Sequence, residues 1–157
     1  MKTVISLIAG LLLFSGCARG QDMGGHHHTP AASPTDVIET QDWAKQRLAK
    51  SPRHQEWVKV KNGTREVNSF VVYPEVKNKA TAVVVIHEIF GMSDWVQSLT
   101  DQLAEAGYIA IAPDLLSGMG PNGGGTSSLD RNGVGQAIRD LPPDQITADL
   151  NAVADYV

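Results

Sequence analysis

The stretch TAVVVIHEIFGMSDWVQSLTDQLAEAGYIAIAPDLL, residues 81–116, decides the fold of this 157-residue chain. Its first strand, Ala82–Ile86, is an apolar and mostly β-branched run, too short for a buried helix and too apolar for a half-exposed strand. A helix follows, and Gly107–Asp114 is a second buried strand that Pro and Asp close. The pattern predicts a β-α-β unit, and open α/β sheets carry their chemistry at the carboxyl ends of such strands.

The helix between these strands has recognisable ends. It begins at Ser93 or Asp94, because either side chain can accept a hydrogen bond from an N–H group of the first turn. Gly107 ends it. Its apolar face comprises three residues at helical spacing, Trp95, Leu99 and Leu103.

The elements before and after this unit are also predicted. Thr40–Ser51 is a short amphipathic helix that Thr40 can cap. Two alternating strands, Trp57–Lys61 and Thr64–Tyr73, form an antiparallel hairpin around the loop Asn62-Gly63. A last helix begins near Asp144. Its apolar side chains recur at i, i+4, i+7 and i+11, as Ile146, Leu150, Val153 and Val157.

Charge is unevenly distributed along the chain. Between Lys45 and Lys79 there are nine Lys or Arg residues against three acids, and from Ala80 to Val157 there are two against ten. A basic segment packed on an acidic one would help the hairpin to dock, although separately solvated faces would give the same pattern. The net charge of −4 does not indicate a protein that binds nucleic acid.

The N-terminus has the features of an export signal. Lys2 precedes an apolar run of 11 residues, Val4–Phe14, and small residues then lead to Cys17, the single cysteine. This resembles a bacterial lipobox, which predicts a signal peptide over residues 1–16, lipidation of Cys17 and a flexible tether over 17–39. Ordinary cleavage after Gly20, giving a secreted protein, and an uncleaved anchor are the alternatives. The protein is therefore expected to be exported, as a periplasmic or membrane-anchored lipoprotein or as a secreted one.

Two motifs that suggest cofactors are weak. His26–His28 are adjacent on the tether and cannot all face one ion, so no metal site is expected. Residues 118–123 fit the pattern G-x-G-x-x-G, but Pro121 lies inside it and no helix follows, so no nucleotide cofactor is expected. The patterns G-x-S-x-G and G-x-C-x-G, which carry hydrolase nucleophiles, occur nowhere in the sequence.

His87 and Glu88 follow the first buried strand directly. A carboxylate at this edge needs a cation, a hydrogen-bond donor or a proton, because burial disfavours its charge. Glu88 can pair with an Arg and hold the loop, or it can act as a base or switch carboxylate beside the N–H of Ile89, a candidate oxyanion donor. His87 fits a packed core residue better than a catalytic one.

These residues resemble the dienelactone hydrolase family. The similarity lies in Val83–Gly91 (VVVIHEIFG), in Gly107–Leu116 (GYIAIAPDLL) and in the hairpin before them. It implies an α/β-hydrolase fold over residues 40–157: an antiparallel hairpin leading into a parallel sheet with flanking helices. It also implies cofactor-free hydrolysis of a small-molecule ester or lactone. Glu88 would help to generate the nucleophile, and the Ile89 amide would contribute to the oxyanion hole.

The nucleophile, acid and histidine of that family would lie beyond Val157, so the resemblance implies a domain cut before its nucleophile strand. The 157 residues alone are therefore expected to be inactive, because they lack an acyl acceptor. Arginines that could hold an acidic substrate cannot be assigned, although Arg131 and Arg139 are candidates. The alternative is a non-catalytic exported lipoprotein that uses this half-fold as a binding or assembly module.

Overall fold

A computed structural model of the chain describes residues 41–157, and the elements below are those of this part. In chain order they are α1 (Asp42–Lys50), β1 (Gln55–Asn62), β2 (Arg65–Val72), β3 (Ala82–Val84), α2 (Asp94–Glu105), β4 (Ile109–Pro113), α3 (Arg131–Asp140) and α4 (Pro143–Tyr156). Two 3₁₀ turns, Pro121–Gly123 and Thr126–Ser128, lie between β4 and α3. No helix of this part is both long enough and apolar enough to cross a bilayer.

The four strands form one sheet in the order β1-β2-β4-β3. β1 and β2 pair antiparallel, β2 pairs antiparallel with β4, and β4 pairs parallel with β3. The N–H of Val85 extends the parallel pairing with a bond of 2.8 Å to the carbonyl of Ile111. The predicted β-α-β unit is therefore confirmed, and its two strands are neighbours.

The hairpin loop differs from the prediction by one residue. Asn62 pairs with Arg65, so the two loop residues are Gly63 and Thr64 rather than Asn62-Gly63. Gly63 has φ +61°, which glycine adopts at little cost. Asn62 and Arg65 both bind Asp149 of α4, at 2.7 Å and 3.0 Å, so α4 contacts the pair that closes the loop.

Helices cover both faces of the sheet. On one face, Val153 of α4 joins a buried cluster of strand side chains, Val60, Val67, Val71, Val84 and Ile111. On the other face, α2 packs Val96 against Val85 and Ala112, with the three predicted apolar residues Trp95, Leu99 and Leu103 beside them. β3 and β4 are thus covered on both faces, as their continuous apolar sequences predicted, whereas β1 buries only Val60.

The helix ends agree with the sequence in part. The Ser93 hydroxyl accepts the N–H of Val96 at 3.4 Å, which confirms Ser93 as the cap of α2. α1 begins at Asp42, and Gln41 at its N-cap position makes no side-chain capping bond. The side-chain oxygen of Gln41 instead accepts the N–H of Trp95 at 2.7 Å.

Ion pairs join the basic segment to the acidic one, which confirms the docking interpretation of the charge pattern. Arg53 donates two hydrogen bonds, of 2.9 Å and 2.7 Å, to the carboxylate of the fully buried Asp101. Burial alone would raise the pKa of Asp101, but hydrogen bonds from Arg53 and Ser51 outweigh it and the pKa is lowered. Arg65 holds Asp149 of α4 in the same way, at 3.0 Å.

Residues 1–40 lie outside the described part. The signal peptide over 1–16, the lipidation of Cys17, the tether over 17–39 and the cap Thr40 therefore stay predictions. The histidines at 26–28 also lie there. Within residues 41–157, no three His, Cys, Asp or Glu side chains are grouped so that they could hold a metal ion.

Candidate active site

A tight turn, residues 87–92, follows β3 at the carboxyl edge of the sheet. It is closed by a bond of 3.1 Å from the N–H of Gly91 to the carbonyl of Glu88. Gly91 has φ +69°, and a Cβ there would lie 2.4 Å from the Thr126 hydroxyl. Glycine is therefore required at this position for its conformation and for space.

Glu88 is half-buried in this turn, and its carboxylate accepts the N–H of Phe90 at 3.2 Å. Burial raises the pKa of Glu88 above its ordinary value, although the N–H groups of Phe90 and Ile89 partly oppose the rise. Within residues 41–157, no ion pair includes Glu88, so pairing with an Arg is not what holds the turn. A carboxylate whose pKa is raised by burial is a better proton acceptor than a solvated one.

Ile89 presents its side chain to solvent, with 62% of it exposed. Its backbone N–H acts on the neighbouring Glu88 carboxylate and stabilises the charged form. The candidate oxyanion donor and the candidate base thus lie side by side in one turn.

His87 has a structural role in the turn. Its Nε2 accepts the N–H of Leu115 at 3.1 Å, and its Nδ1 lies 3.0 Å from the carbonyl of Glu88. The ring is therefore the neutral tautomer with a proton on Nδ1, because only this form makes both bonds. Burial lowers the pKa of His87, which agrees with a neutral ring. The interpretation of His87 as a packed core residue is confirmed.

A second connection between the two strand ends was not found from the sequence. Asp114, at the end of β4, accepts the N–H and the hydroxyl of Thr126, both at 2.8 Å. The Thr126 oxygen in turn accepts the N–H of Met92 at 3.0 Å. Asp114 and Thr126 are 12 positions apart in a loop, and no local pattern indicates such a pair. Together with His87, this chain of bonds fixes the turn from both ends.

The glycine-rich loop after β4 folds on itself. Residues 121–123 form a single 3₁₀ turn rather than the start of an α-helix, and the N–H of Gly120 donates to the carbonyl of Gly124 at 2.8 Å. The loop lacks the helix N-terminus at which a dinucleotide-binding motif holds a pyrophosphate.

A cavity of about 760 Å³ lies beside the turn, between Ile89, Phe90 and α3. Both candidate arginines, Arg131 and Arg139, line it. The Arg131 guanidinium lies 5.9 Å from the centre of the Phe90 ring, within cation–π range. α3 itself was not predicted, since its two glycines, Gly133 and Gly135, weaken the helical pattern.

A model of the "Dienelactone hydrolase family" matches residues 67–157, more than half of the chain. The chain belongs to the dienelactone hydrolase family. The match contains β2, the β-α-β unit, the turn with Glu88 and the two last helices, and it confirms the resemblance in the sequence.

Similar proteins support this membership. A protein of Escherichia coli K12 whose name describes it as a hydrolase fragment, YghX, is 43% identical over 60 residues, covering 38% of this chain and 51% of that protein. Proteins named as carboxymethylenebutenolidases are 42% identical over 50 residues in Saccharolobus solfataricus (32% of this chain, 19% of that protein) and 28% identical over 102 residues in Synechocystis (63% and 41%). The chain spans about half, or less, of the length of these relatives.

A crystal structure described as a dienelactone hydrolase from Klebsiella pneumoniae has the same fold. The two superpose with a TM-score of 0.56 at 24% identity, covering 66% of this chain and 43% of the other. The sheet and its flanking helices are thus those of an α/β-hydrolase.

Proposed function

We propose that this chain is part of an exported hydrolase that cleaves a small-molecule carboxylic ester or lactone without a cofactor. Glu88 is the base or switch carboxylate, and the N–H of Ile89 is the oxyanion donor. The observation that carries the proposal is the position of Glu88 at the carboxyl edge of the sheet, with a pKa raised by burial and no ion pair within residues 41–157. Membership of the family supports the same reaction class.

In this proposal the nucleophile is a Cys or Ser supplied from outside these 157 residues. Glu88 accepts its proton, and the nucleophile attacks the carbonyl carbon of the substrate. The negative charge that develops on the carbonyl oxygen is stabilised by the Ile89 N–H. Protonated Glu88 returns the proton to the leaving alkoxide, and water then hydrolyses the acyl intermediate to release the acid and restore the nucleophile.

The turn has to keep its shape while Glu88 changes protonation. Neutral His87 fixes the carbonyl of Glu88, and Thr126 fixes the N–H of Met92. Both are positioning residues, because they hold the backbone on either side of Glu88 and Ile89 and need not contact the substrate.

The first test is to read the natural gene past the Val157 codon and to assay both lengths with p-nitrophenyl acetate. We expect no appreciable turnover from the 157 residues, and an in-frame G-x-C-x-G or G-x-S-x-G further on. In the longer protein, Glu88→Gln should lower kcat/KM by about a hundredfold, the usual size of a general-base contribution. Glu66→Gln, an exposed change on β2, is the control.

Two results would contradict the proposal. Turnover by the 157 residues that depends on Glu88 would mean that the acyl acceptor is already present. Unchanged kcat/KM in the Glu88→Gln variant of the longer protein would remove Glu88 from the reaction.

The alternative proposal is a non-catalytic lipoprotein module. It is favoured by β3, which among the described residues has a strand neighbour on one side only. Such an edge can pair with another chain. A folded dimer of the 157 residues in light scattering, with a stop codon after Val157, would support this alternative against the hydrolase.

Export through a lipidated Cys17 is a separate proposal. Cells expressing the chain should incorporate labelled palmitate into it, and Cys17→Ser should abolish the label. A protein released into the medium with its N-terminus at Gln21 would support ordinary cleavage instead.

A further inference from the structure

A second cavity, of about 280 Å³, lies between β1, the end of β4 and the first turn of α2. Its side chains come from separate parts of the chain: Trp57, Asn68, Met92, Gln97, Asp114 and Ser127. Neither Glu88 nor Ile89 lines it. We propose that this cavity binds a neutral sugar ring, stacked on Trp57 and hydrogen-bonded by the amides of Asn68 and Gln97.

Trp57 provides an aromatic platform. It projects from β1 opposite Phe70, and the two ring centres are 5.4 Å apart. Phe70 is buried and fixes one side of the indole, while 51% of Trp57 remains exposed. A supported indole with a free surface suits the C–H face of a pyranose ring, which is apolar and flat.

Three polar side chains of the cavity are not used by the fold. The side-chain amides of Asn68 and Gln97 and the hydroxyl of Ser127 make no hydrogen bond to another residue within 41–157. Each amide offers two donors and an acceptor, and sugar hydroxyls both donate and accept. Small-molecule sites usually combine an apolar or aromatic wall with a few polar groups that orient the ligand.

Asn68 is held in place although its side chain is free. Its N–H donates to the Ser117 hydroxyl at 3.0 Å, and its carbonyl accepts the N–H of Asp114 at 2.8 Å. Gln97 is fixed similarly, since its N–H donates to the carbonyl of Ser93 at 3.1 Å in the first turn of α2. The two amides are therefore presented from rigid backbone, which lowers the entropy that binding would cost.

The charge of the cavity favours a neutral ligand. No Lys or Arg lines it. Its single carboxylate, Asp114, already accepts hydrogen bonds from Thr126 and from the N–H of Leu116. A ligand with a carboxylate or phosphate would find no cation there and would approach a buried negative charge, so a neutral polyhydroxylated ring fits best.

The proposed sugar site opens into a neighbouring cavity. Met92, Gln97 and Ser127 are shared with a neighbouring cavity of about 410 Å³ that reaches Phe90. A substituent on the sugar could therefore extend toward the turn that carries Glu88. The binding site itself does not depend on the proposed hydrolysis.

Ligand-observed NMR with the 157-residue chain tests the proposal. The probes are methyl β-D-glucopyranoside and methyl β-D-xylopyranoside at millimolar concentration, with glucuronate as the anionic comparison. We expect saturation transfer from the protein to the ring C–H protons of the neutral sugars. Trp57→Ala should weaken binding about tenfold, the upper range for one aromatic contact.

Trp43→Ala is the matched control, because Trp43 is also 51% exposed but lies on α1, away from the cavity. It should bind like the unchanged chain. Trp57→Phe, which keeps an aromatic face, and the double variant Asn68→Ala, Gln97→Ala separate stacking from hydrogen bonding if Trp57→Ala does not fold. Each of these two should weaken binding measurably.

The proposal is overturned if the neutral sugars show no transfer, if glucuronate binds more tightly than they do, or if Trp57 and Trp43 variants bind alike. Glu88→Gln should leave sugar binding unchanged. Loss of hydrolysis in the longer protein with intact sugar binding, or the reverse, therefore tells the two proposals apart.

Discussion

Glu88 and Asp114 follow neighbouring parallel strands at the same edge of the sheet, yet their environments differ. Asp114 is almost fully buried, and both of its oxygens accept bonds from the loop that it holds. Glu88 is half-buried and has a raised pKa, and among residues 41–157 it accepts bonds only from its own turn. A position at the carboxyl edge of the sheet therefore does not by itself assign a function to a carboxylate. Asp114 holds a distant loop, because donors of that loop occupy both of its oxygens. Glu88 accepts hydrogen bonds from its own turn and can still exchange a proton.

The largest loss of stability is expected where the turn that carries Glu88 contacts the loop that carries Thr126. Gly91→Ala should lower the free energy of unfolding by about 3 kcal/mol, because the left-handed backbone and the clash with Thr126 add. Gly63→Ala is the control, since Gly63 also has positive φ but open space around it. It should cost about 1 kcal/mol. Urea unfolding measures both, and equal losses would mean that contact between turn and loop is unimportant.

Removing the charge of Asp114 or of Glu88 should have unequal effects on stability. Asp114→Asn should lower the free energy of unfolding by about 2 kcal/mol, because the new amide N–H₂ must then face a hydrogen-bond donor of Thr126. Glu88→Gln should change stability by less than about 0.5 kcal/mol. If Glu88→Gln destabilised the chain as much as Asp114→Asn, both carboxylates would have to be regarded as structural.

Thr126 connects the two regions through one oxygen. Thr126→Val keeps the shape of the side chain but removes that oxygen, so the N–H of Met92 loses its partner. We expect a loss of about 1.5 kcal/mol, and rescue of most of it by Thr126→Ser. Amide hydrogen exchange at Met92 should quicken in the Val variant only. Equal exchange in both variants would contradict the assigned bond.

The smallest effect concerns pH. Because the pKa of Glu88 is raised in the folded chain, the folded state binds this proton more tightly than the unfolded state. Stability contributed by Glu88 therefore falls as pH rises from its ordinary pKa through the raised one. The measurement is the difference between the stability curves of the unchanged chain and of Glu88→Gln, taken by urea unfolding from pH 4 to pH 7, because the lowered pKa of His87 makes stability rise with pH in both proteins. The stability of the unchanged chain relative to Glu88→Gln should fall as pH rises. A difference that stays constant would place the raised pKa on another group.

Local patterns in the sequence were sufficient for most of the fold. β3, α2 and β4 were predicted because apolar runs, a Ser cap and a terminating glycine all act within a few residues. α3 was missed because Gly133 and Gly135 hide its pattern. The hairpin loop differed from the prediction by one residue, and the two residues that close it bind Asp149, which is distant in sequence.

The candidate site divides in the same way. Glu88, Ile89 and His87 could be identified from the sequence because they follow a buried strand directly. The partners that define their roles could not be identified, because Leu115 and Thr126 come from other segments of the chain. The role of His87 in particular depends on a bond to a residue 28 positions away.

The β-α-β unit, the family and the residues at its carboxyl edge can be identified from local patterns, because strand burial, helix caps and turn glycines are encoded within a few residues. The hydrogen-bond partners of Asp114, the tautomer of His87 and the side chains that line a cavity with Trp57 cannot be identified in this way. They depend on burial and on contacts between segments that meet only when the sheet and helices pack.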